Sequence, residues 1–400
     1  MLSAYGPGIE NLVGGIRSGA CPVRPADGIG YPGVPAPMAS RFPATDADVD
    51  YPGERAAVRD LLSTTDQALA NWVSNSGGNS GGISGSTSGG DRTAIAHPDC
   101  GLFVGAGGFL YASAAELYWR ASDASAAATV NTPFRVRDPG WGAALIAERY
   151  AMRGPVLTLS TGCSSSANAL LVAHESIDRE EIAQAFVVGA EGLSPVSLAG
   201  FDSLMLLDPL GCRPFDAERA GLQLGEAVAA LVLEPDDETN DDRRGAAVLR
   251  GGANLCDPHH LTSASPDGAV MQQVMRLALQ QAGVSSKDIV AVKVHGTGSI
   301  DSDRAEANAL RRVFAAAMPP LVGLKRYLGH TLGACGAAET VAFIACLQAG
   351  FVPATAGFST IDPELGVVPQ RESTPARPGP YLLNFFGFGG NYTALVIEAR

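Results

Sequence analysis

Lysine is almost absent from this chain: among 400 residues only Lys287, Lys293 and Lys325 carry it. Arginine does not make up the difference, because Lys and Arg together number 28 against 41 Asp and Glu, a formal net charge of −13. A nucleic-acid surface needs a dense positive field, so that class of partner is excluded. A local arginine patch for an acidic protein partner stays open, and Arg55 and Arg59, one helical turn apart, are candidates for it. The alternative for that pair is a solvated helix face. The cysteines (Cys21, Cys100, Cys163, Cys212, Cys256, Cys335 and Cys346) are odd in number, scattered, and form no CxxC pair. Neither a disulfide framework nor a metal site is expected from them. No apolar run of 18 residues occurs, and the first residues lack the basic and apolar regions of a secretion signal. The expectation is a cytoplasmic protein with no membrane span.

What is present is apolar surface and glycine. Hydrophobic residues make up 46% of the chain and glycines number 48, enough for a large core with many tight turns. Residues 1–53 are rich in Gly, Pro and Ala, with a short helix near Ile9–Arg17; a second helix is expected over Glu54–Trp72. Residues 74–90 are a Gly/Ser/Asn tract that reads as a flexible surface loop. From Cys100 onward strands alternate with helices. Strands are expected at Gly101–Gly105, Val156–Ser160, Ala185–Gly189 and Ala227–Leu233. The charged, turn-rich stretch from Glu234 to Arg244 then divides the chain into halves, 1–245 and 246–400. The second half repeats the scheme: strand Ala246–Arg250, helix Ala269–Ala282, strand Ile289–Val294, helix Arg304–Met318, helix Gly333–Ala349, and closing strands Tyr381–Asn384 and Thr393–Glu398. Such alternation implies an α/β fold with largely parallel strands.

Four segments carry chemistry. Cys163 lies in Thr161-Gly162-Cys163-Ser164-Ser165, between a β-prone run and a stretch with helical character. A cysteine at a helix N-terminus feels the positive end of the dipole, which favours thiolate. On its own it reads more readily as a small buried hydrophobe. His295 ends an apolar strand and opens His295-Gly296-Thr297-Gly298-Ser299, where α/β folds place catalytic groups; the alternative is a histidine capping a turn. Asp303 and Glu306 follow at a helix start, where acidic residues suit the dipole. Lys325 and His330 sit in Lys325-Arg326-Tyr327-Leu328-Gly329-His330-Thr331-Leu332-Gly333-Ala334, and Glu339 further along faces back closely enough to pair with Lys325. A surface salt bridge, worth little, is the alternative there. The last segment, Phe386-Gly387-Phe388-Gly389-Gly390-Asn391, can aim backbone N–H groups at an oxyanion or be a plain hairpin.

Taken in order, these segments resemble the β-ketoacyl-acyl carrier protein synthases, the condensing enzymes of fatty acid and polyketide assembly. The likeness rests on Thr-Gly-Cys163-Ser-Ser, His295-Gly-Thr-Gly-Ser, Lys325 followed by Gly-His330-Thr-Leu-Gly-Ala, and the terminal Phe-Gly-Phe388-Gly-Gly-Asn. Arg213–Gly221 with Gly225-Glu226-Ala227, and Asp257-Pro258-His259-His260-Leu261-Thr262, agree as well. The resemblance implies a thiolase-like fold: two similar α/β halves in a five-layer αβαβα sandwich, forming a homodimer or a heterodimer with a related ketosynthase. It implies that Cys163 takes an acyl group from a carrier protein's phosphopantetheine. It further implies that His295 and His330 stabilise the enolate formed when malonyl-carrier protein loses carbon dioxide, and that the N–H groups of Cys163 and Phe388 hold the tetrahedral oxyanion. Lys325 with Glu339 would organise the histidine side, Thr297 and Gly389 would support the site, and Phe388 would gate acyl entry. No cofactor and no metal beyond the carrier-borne substrates is implied. The paired histidines resemble the elongating subtype. Two alternatives stand beside it: a non-elongating partner subunit of a ketosynthase heterodimer, and a Cys-dependent acyltransferase.

The chain departs from that pattern in places. Met1-Leu2-Ser3-Ala4 begins where the family's opening strand should finish, so either the start is assigned late or the strand is lacking. Gly162 replaces the usual alanine, Ser299 replaces a threonine, and the proline expected near Thr262 arrives at Pro266.

Overall fold

Valine, leucine and alanine runs punctuated by glycine build two sheets of one design. The computed structural model describes residues 1–25, 38–41, 63–67, 98–107, 140–236 and 247–400. In the first half these contain β1 (Leu2–Ser3), β2 (Gly6–Pro7), α1 (Ile9–Arg17), a ribbon of β3 (Arg24–Pro25) and β4 (Met38–Ala39), and β5 (Cys100–Gly105). There follow α2 (Trp141–Arg149), β6 (Val156–Leu159), α3 (Ser165–Asp178), β7 (Gln184–Glu191), α4 (Pro195–Ser203) and β8 (Ala227–Leu233). The second half contains β9 (Val248–Cys256), α5 (Ala269–Gln281), β10 (Ala291–Lys293), α6 (Ile300–Phe314), β11 (Leu321–Val322), α7 (Lys325–Leu328) and α8 (Cys335–Gln348). It closes with β12 (Phe351–Val352), β13 (Thr374–Pro375), β14 (Gly379–Phe386) and β15 (Asn391–Ala399).

The strand orders are β2-β1-β8-β7-β5-β6 and β11-β10-β14-β15-β9. Apart from β2, the sheets match strand for strand: β1 with β9, β8 with β15, β7 with β14, β5 with β10, β6 with β11. Pairing directions match too. The expectation of largely parallel strands is corrected here, because each sheet is mixed. β5 runs parallel to β6 and β7, as β10 does to β11 and β14, while β7–β8, β1–β8, β14–β15 and β15–β9 are antiparallel. Gly387–Gly390 is all that joins β14 to β15, too short for the crossover a parallel pair requires. β1 meets β8 at the single register Leu2↔Val228, whereas β9 pairs along β15 from Val248 to Cys256.

Helices α3 and α8 fill the space between the sheets. α3 packs on β5 and β7 on one side and on β9 and β15 on the other, while α8 packs on β7, β8 and β14. α2 covers β5 and β6, α5 covers β9 and β15, and α6 packs against α5, completing five layers. The two central helices touch backbone to backbone: a Cβ on Gly336 would lie 2.0 Å from the Ala167 nitrogen. Ser166 Oγ accepts the Ala337 N–H at 2.9 Å across that contact. Small side chains are therefore a condition of this crossing, and the alanines of α3 (Ala167, Ala169, Ala173) are all buried.

Two boundaries move for clear reasons. α6 begins and ends earlier than the expected Arg304–Met318, stopping where Ala315 takes φ 47° ahead of Pro319 and Pro320. β9 extends past Arg250 to Cys256 because β15 supplies a partner along its whole length. Of the helix expected over Glu54–Trp72, residues 63–67 are helical. Arg55, Arg59, the 74–90 tract and the 245/246 boundary lie outside the described residues. Among the described residues no helix is long and apolar enough to cross a membrane.

Candidate active site

β6 ends on the first sheet and the chain turns through a short 3-10 segment, Gly162–Ser164, into α3. Gly162 takes φ 63°, and a Cβ there would lie 3.2 Å from the Phe388 oxygen, so glycine suits this position better than the usual alanine. Ser165 braces the turn, accepting the Thr161 N–H at 2.9 Å and donating to the Gly162 carbonyl at 2.6 Å. Cys163 therefore sits at the mouth of α3. A polar network ties this elbow to the second half: Asn391 Oδ1 accepts from Ser164 Oγ at 2.8 Å, Asn168 Nδ2 at 2.8 Å and Asn254 Nδ2 at 2.7 Å. Thr393 Oγ1 donates to Asn168 Oδ1 at 2.6 Å. Phe388 stands beside the elbow, its ring stacked on Phe201 with centroids 5.5 Å apart. Gly389 takes φ 78° and donates its N–H to the Leu261 carbonyl at 2.7 Å, which anchors the turn. A Cβ on neighbouring Gly390 would come 1.9 Å from the Asp257 oxygen.

His295 follows β10. Its backbone N–H and that of Gly296 are both received by the Glu306 carboxylate, at 2.8 and 2.9 Å. Asp303 does the same for Phe215 at 2.7 Å and for Gly298. The two acidic residues are thus fully buried clamps on the histidine loop, not surface partners of the helix dipole. His330 enters from the turn after α7, its N–H bonded to the Gln223 carbonyl at 2.6 Å. The two imidazoles meet edge to face with centroids 5.6 Å apart. Cys163, His295, His330, Phe388 and Thr297 all line one cavity of about 230 Å³. These five residues thus converge from both halves on one space.

Behind the histidines lies a buried cluster of charge. Lys325 Nζ contacts Glu339 Oε1 at 2.6 Å, the expected pair, but all its atoms are inaccessible, so it is no surface bridge. Lys293 Nζ reaches Glu339 Oε2 at 2.6 Å and the Asn384 carbonyl at 2.6 Å, and lies 3.6 Å from the Phe385 ring centre. Burial alone would raise the Glu339 carboxyl, yet the two ammonium groups overcome it and hold it at about 2. Burial also opposes the Lys325 charge, but the Glu339 carboxylate beside it outweighs that and raises it. His295 is held well below the ordinary range, first by burial, then by Lys325, His330 and Lys293. It is therefore neutral at physiological pH, and its Nδ1 is buried with no hydrogen-bond partner among the described residues. Lys325 and Glu339 do not line the cavity, so their influence on it is electrostatic and positional.

Known sequences and solved structures share the two halves of this chain. The family model for the β-ketoacyl synthase N-terminal domain matches residues 86–239, and that for the C-terminal domain matches residues 246–359. The chain belongs to the β-ketoacyl synthase family. Among curated relatives, the tetracenomycin polyketide synthase ketoacyl synthase alpha subunit of Streptomyces glaucescens is 35% identical over 272 residues, 63% of this chain and 62% of that protein. The 3-oxoacyl-[acyl-carrier-protein] synthase 2 of Mycobacterium tuberculosis is 33% identical over 270 residues, 64% of each. The match therefore spans less than two thirds of either relative. Among solved structures, a β-ketoacyl synthase from Burkholderia phymatum superposes with TM-score 0.80 at 25% identity, covering 100% of this chain and 97% of the other. A ketosynthase in complex with its chain length factor from Xenorhabdus doucetiae superposes with TM-score 0.80 at 24% identity, over 100% and 96%.

Within this member of the family, sequence reasoning missed three groups. Lys293 was hidden in an apolar strand, although its rarity in a chain with so few lysines was a usable signal. The bracing role of Glu306 and Asp303 depends on a loop folding back over a helix, which spacing does not reveal. Asn391 was read only as the end of a glycine motif, while its side chain gathers three donors from both halves.

Proposed function

We propose that this β-ketoacyl synthase condenses an acyl thioester, held on Cys163, with malonyl-acyl carrier protein, losing carbon dioxide. The observation that carries this reading is the single cavity bordered by Cys163, His295 and His330. The Cys163 thiolate attacks the carrier thioester, giving an acyl-enzyme thioester and releasing the carrier's phosphopantetheine thiol. Malonyl-carrier protein follows. His295, kept neutral, and His330 each present a ring N–H to the carbonyl oxygen that becomes the enolate as carbon dioxide leaves. The carbanion attacks the Cys163 thioester, and the N–H groups of Cys163 and Phe388 hold the tetrahedral oxyanion. Collapse expels the Cys163 thiolate and leaves the β-ketoacyl group on the carrier. Lys325, with Lys293, fixes Glu339 behind the histidines, Thr297 borders the path of the pantetheine arm, and Phe388 on Phe201 gates the acyl side. No resident cofactor or metal takes part. The partners are acyl carrier protein and a second ketosynthase chain, identical or related, and the setting is cytoplasmic.

Carbon dioxide release and intact-protein mass spectrometry test this together. Wild type incubated with acyl- and malonyl-carrier protein acylates Cys163 and releases carbon dioxide. Cys163→Ala loses condensation entirely yet retains measurable decarboxylation. His295→Ala lowers decarboxylation by about 10²–10⁴-fold while Cys163 still acylates. Full activity in His295→Ala defeats the assignment, and acylation without any carbon dioxide release in wild type makes the protein an acyltransferase instead.

A further inference from the structure

The two histidines differ in what holds their rings. His295 Nδ1 is buried without a partner, whereas His330 Nδ1 lies 3.2 Å from the Cys335 sulfur. Cys335 is the first residue of α8 and is fully buried. Its other polar neighbours are Glu339 Oε1 at 3.5 Å and the Thr331 hydroxyl. Burial pushes the Cys335 thiol up to about 11, so it keeps its proton and has one to give.

We propose that Cys335 is a positioning residue: its thiol donates to His330 Nδ1 and so holds that ring with its N–H on Nε2. Two arrangements satisfy the contacts with His330 and Glu339. In one, the thiol donates to Nδ1. In the other, Nδ1–H donates to sulfur and the thiol donates to Glu339. The first is favoured on three counts. An imidazole nitrogen is a good acceptor and a thiol sulfur a poor one. Glu339 Oε1 already receives Lys325 Nζ at 2.6 Å and Oε2 receives Lys293 Nζ at 2.6 Å, so the carboxylate has little need of a third donor. The sulfur is also nearer to Nδ1 than to Oε1, 3.2 Å against 3.5 Å. With Nδ1 occupied as an acceptor, Nε2 carries the proton and becomes the donor available to the cavity. This rests on the condensing reaction proposed above, in which His330 must donate rather than accept. It adds that the tautomer is set by a neighbouring side chain, an arrangement known to fix imidazole ligands and catalytic histidines elsewhere.

The test uses the full chain labelled with nitrogen-15 histidine, the His330 signals being assigned by their loss in His330→Asn. In wild type the His330 ring is a pure Nε2–H tautomer with an unprotonated Nδ1. Cys335→Ala shifts the Nδ1 resonance and introduces the second tautomer, and lowers the turnover of malonyl-carrier decarboxylation about three- to tenfold without changing KM. The rate of Cys163 acylation, which does not use His330, stays the same. Cys335→Ser, which restores a donor, recovers the wild-type ring signals. An Nδ1–H tautomer in wild type overturns the proposal, as do unchanged His330 signals and turnover in Cys335→Ala. Should Cys335→Ala fail to fold, the wild-type tautomer decides alone. Because the ring signals do not depend on turnover, a protein that releases no carbon dioxide defeats the functional reading and leaves the Cys335 proposal to be judged by them.

Discussion

Each half of the molecule runs from a sheet through a short 3-10 turn into a 14-residue central helix, Gly162–Ser164 into α3 and Leu332–Ala334 into α8. The two elbows share backbone form, since Gly162 takes φ 63° and Leu332 φ 45° at equivalent positions. Their contents are opposite. The residue after the positive φ is Cys163 in the first and Gly333 in the second. A Cβ on Gly333 would lie 2.0 Å from the Gly107 nitrogen and 2.8 Å from Glu191 Oε2. Glu191 fills that space, accepting the N–H groups of Gly107 and Gly333 at 2.7 and 3.0 Å. One elbow is open to a cavity and carries a cysteine, and the other is sealed by a carboxylate. One helix position further in from the turn, Ser165 braces the first elbow through backbone bonds, while Cys335 turns to the His330 ring. A duplicated frame thus places the cavity cysteine in one half and the buried charge cluster in the other.

The largest effect that breaks this contrast falls on the charge behind the second elbow. Glu339→Gln leaves two buried ammonium groups without their shared carboxylate and costs about 3–5 kcal/mol in urea unfolding. Its pH dependence carries a sign. The folded carboxyl is held at about 2, below its ordinary 4.5, so its contribution is complete above pH 4.5 and is lost as pH falls toward 2. The stability gap between wild type and Glu339→Gln therefore narrows on acidification through that window; a gap constant from pH 7 to 2 breaks the argument. His295, depressed by burial and the neighbouring cations, adds loss in the same direction as pH falls below its ordinary 6.5.

Next in size is the sealed elbow itself. Gly333→Ala forces a methyl against backbone and costs about 2–3 kcal/mol, read by the same unfolding curves. Its counterpart Cys163→Ala changes stability by no more than about 1 kcal/mol while abolishing condensation. Equal stability losses at the two positions would erase the distinction between them. Smallest is Gly162→Ala. There the positive φ and the 3.2 Å approach to the Phe388 oxygen together cost about 1 kcal/mol. The same change slows Cys163 acylation, measurable by mass spectrometry, because the strain falls on the Phe388 turn.

Much of the site was legible in the chain. Cys163 and His295 each follow a short strand, His330 follows the turn after α7, and all three precede glycines or small residues, a local pattern that spacing reports directly. The Lys325–Glu339 pair was visible as well, though not its burial. Lys293 escaped because β10 is buried on both faces, so an apolar run with one lysine looks like an ordinary strand from its neighbours alone. Mixed rather than parallel sheets escaped for a similar reason, since strand direction depends on which strand lies beside which, and β7 and β8 are far apart in sequence.

What the sequence determined by itself is therefore local: the strands, the two central helices, the turn glycines, and the choice of one cysteine and two histidines as candidates. Periodicity, glycine conformation and helix-terminus chemistry act over a few residues, and those can be read without a fold. Only the tertiary structure decided that both halves meet at one cavity, that Asn391 stitches them together, and that two lysines share Glu339. It alone decided that one elbow is open and the other closed. Those outcomes depend on burial and on distances between residues far apart in the chain, where a charge or a Cβ is acceptable or impossible according to neighbours that only folding supplies.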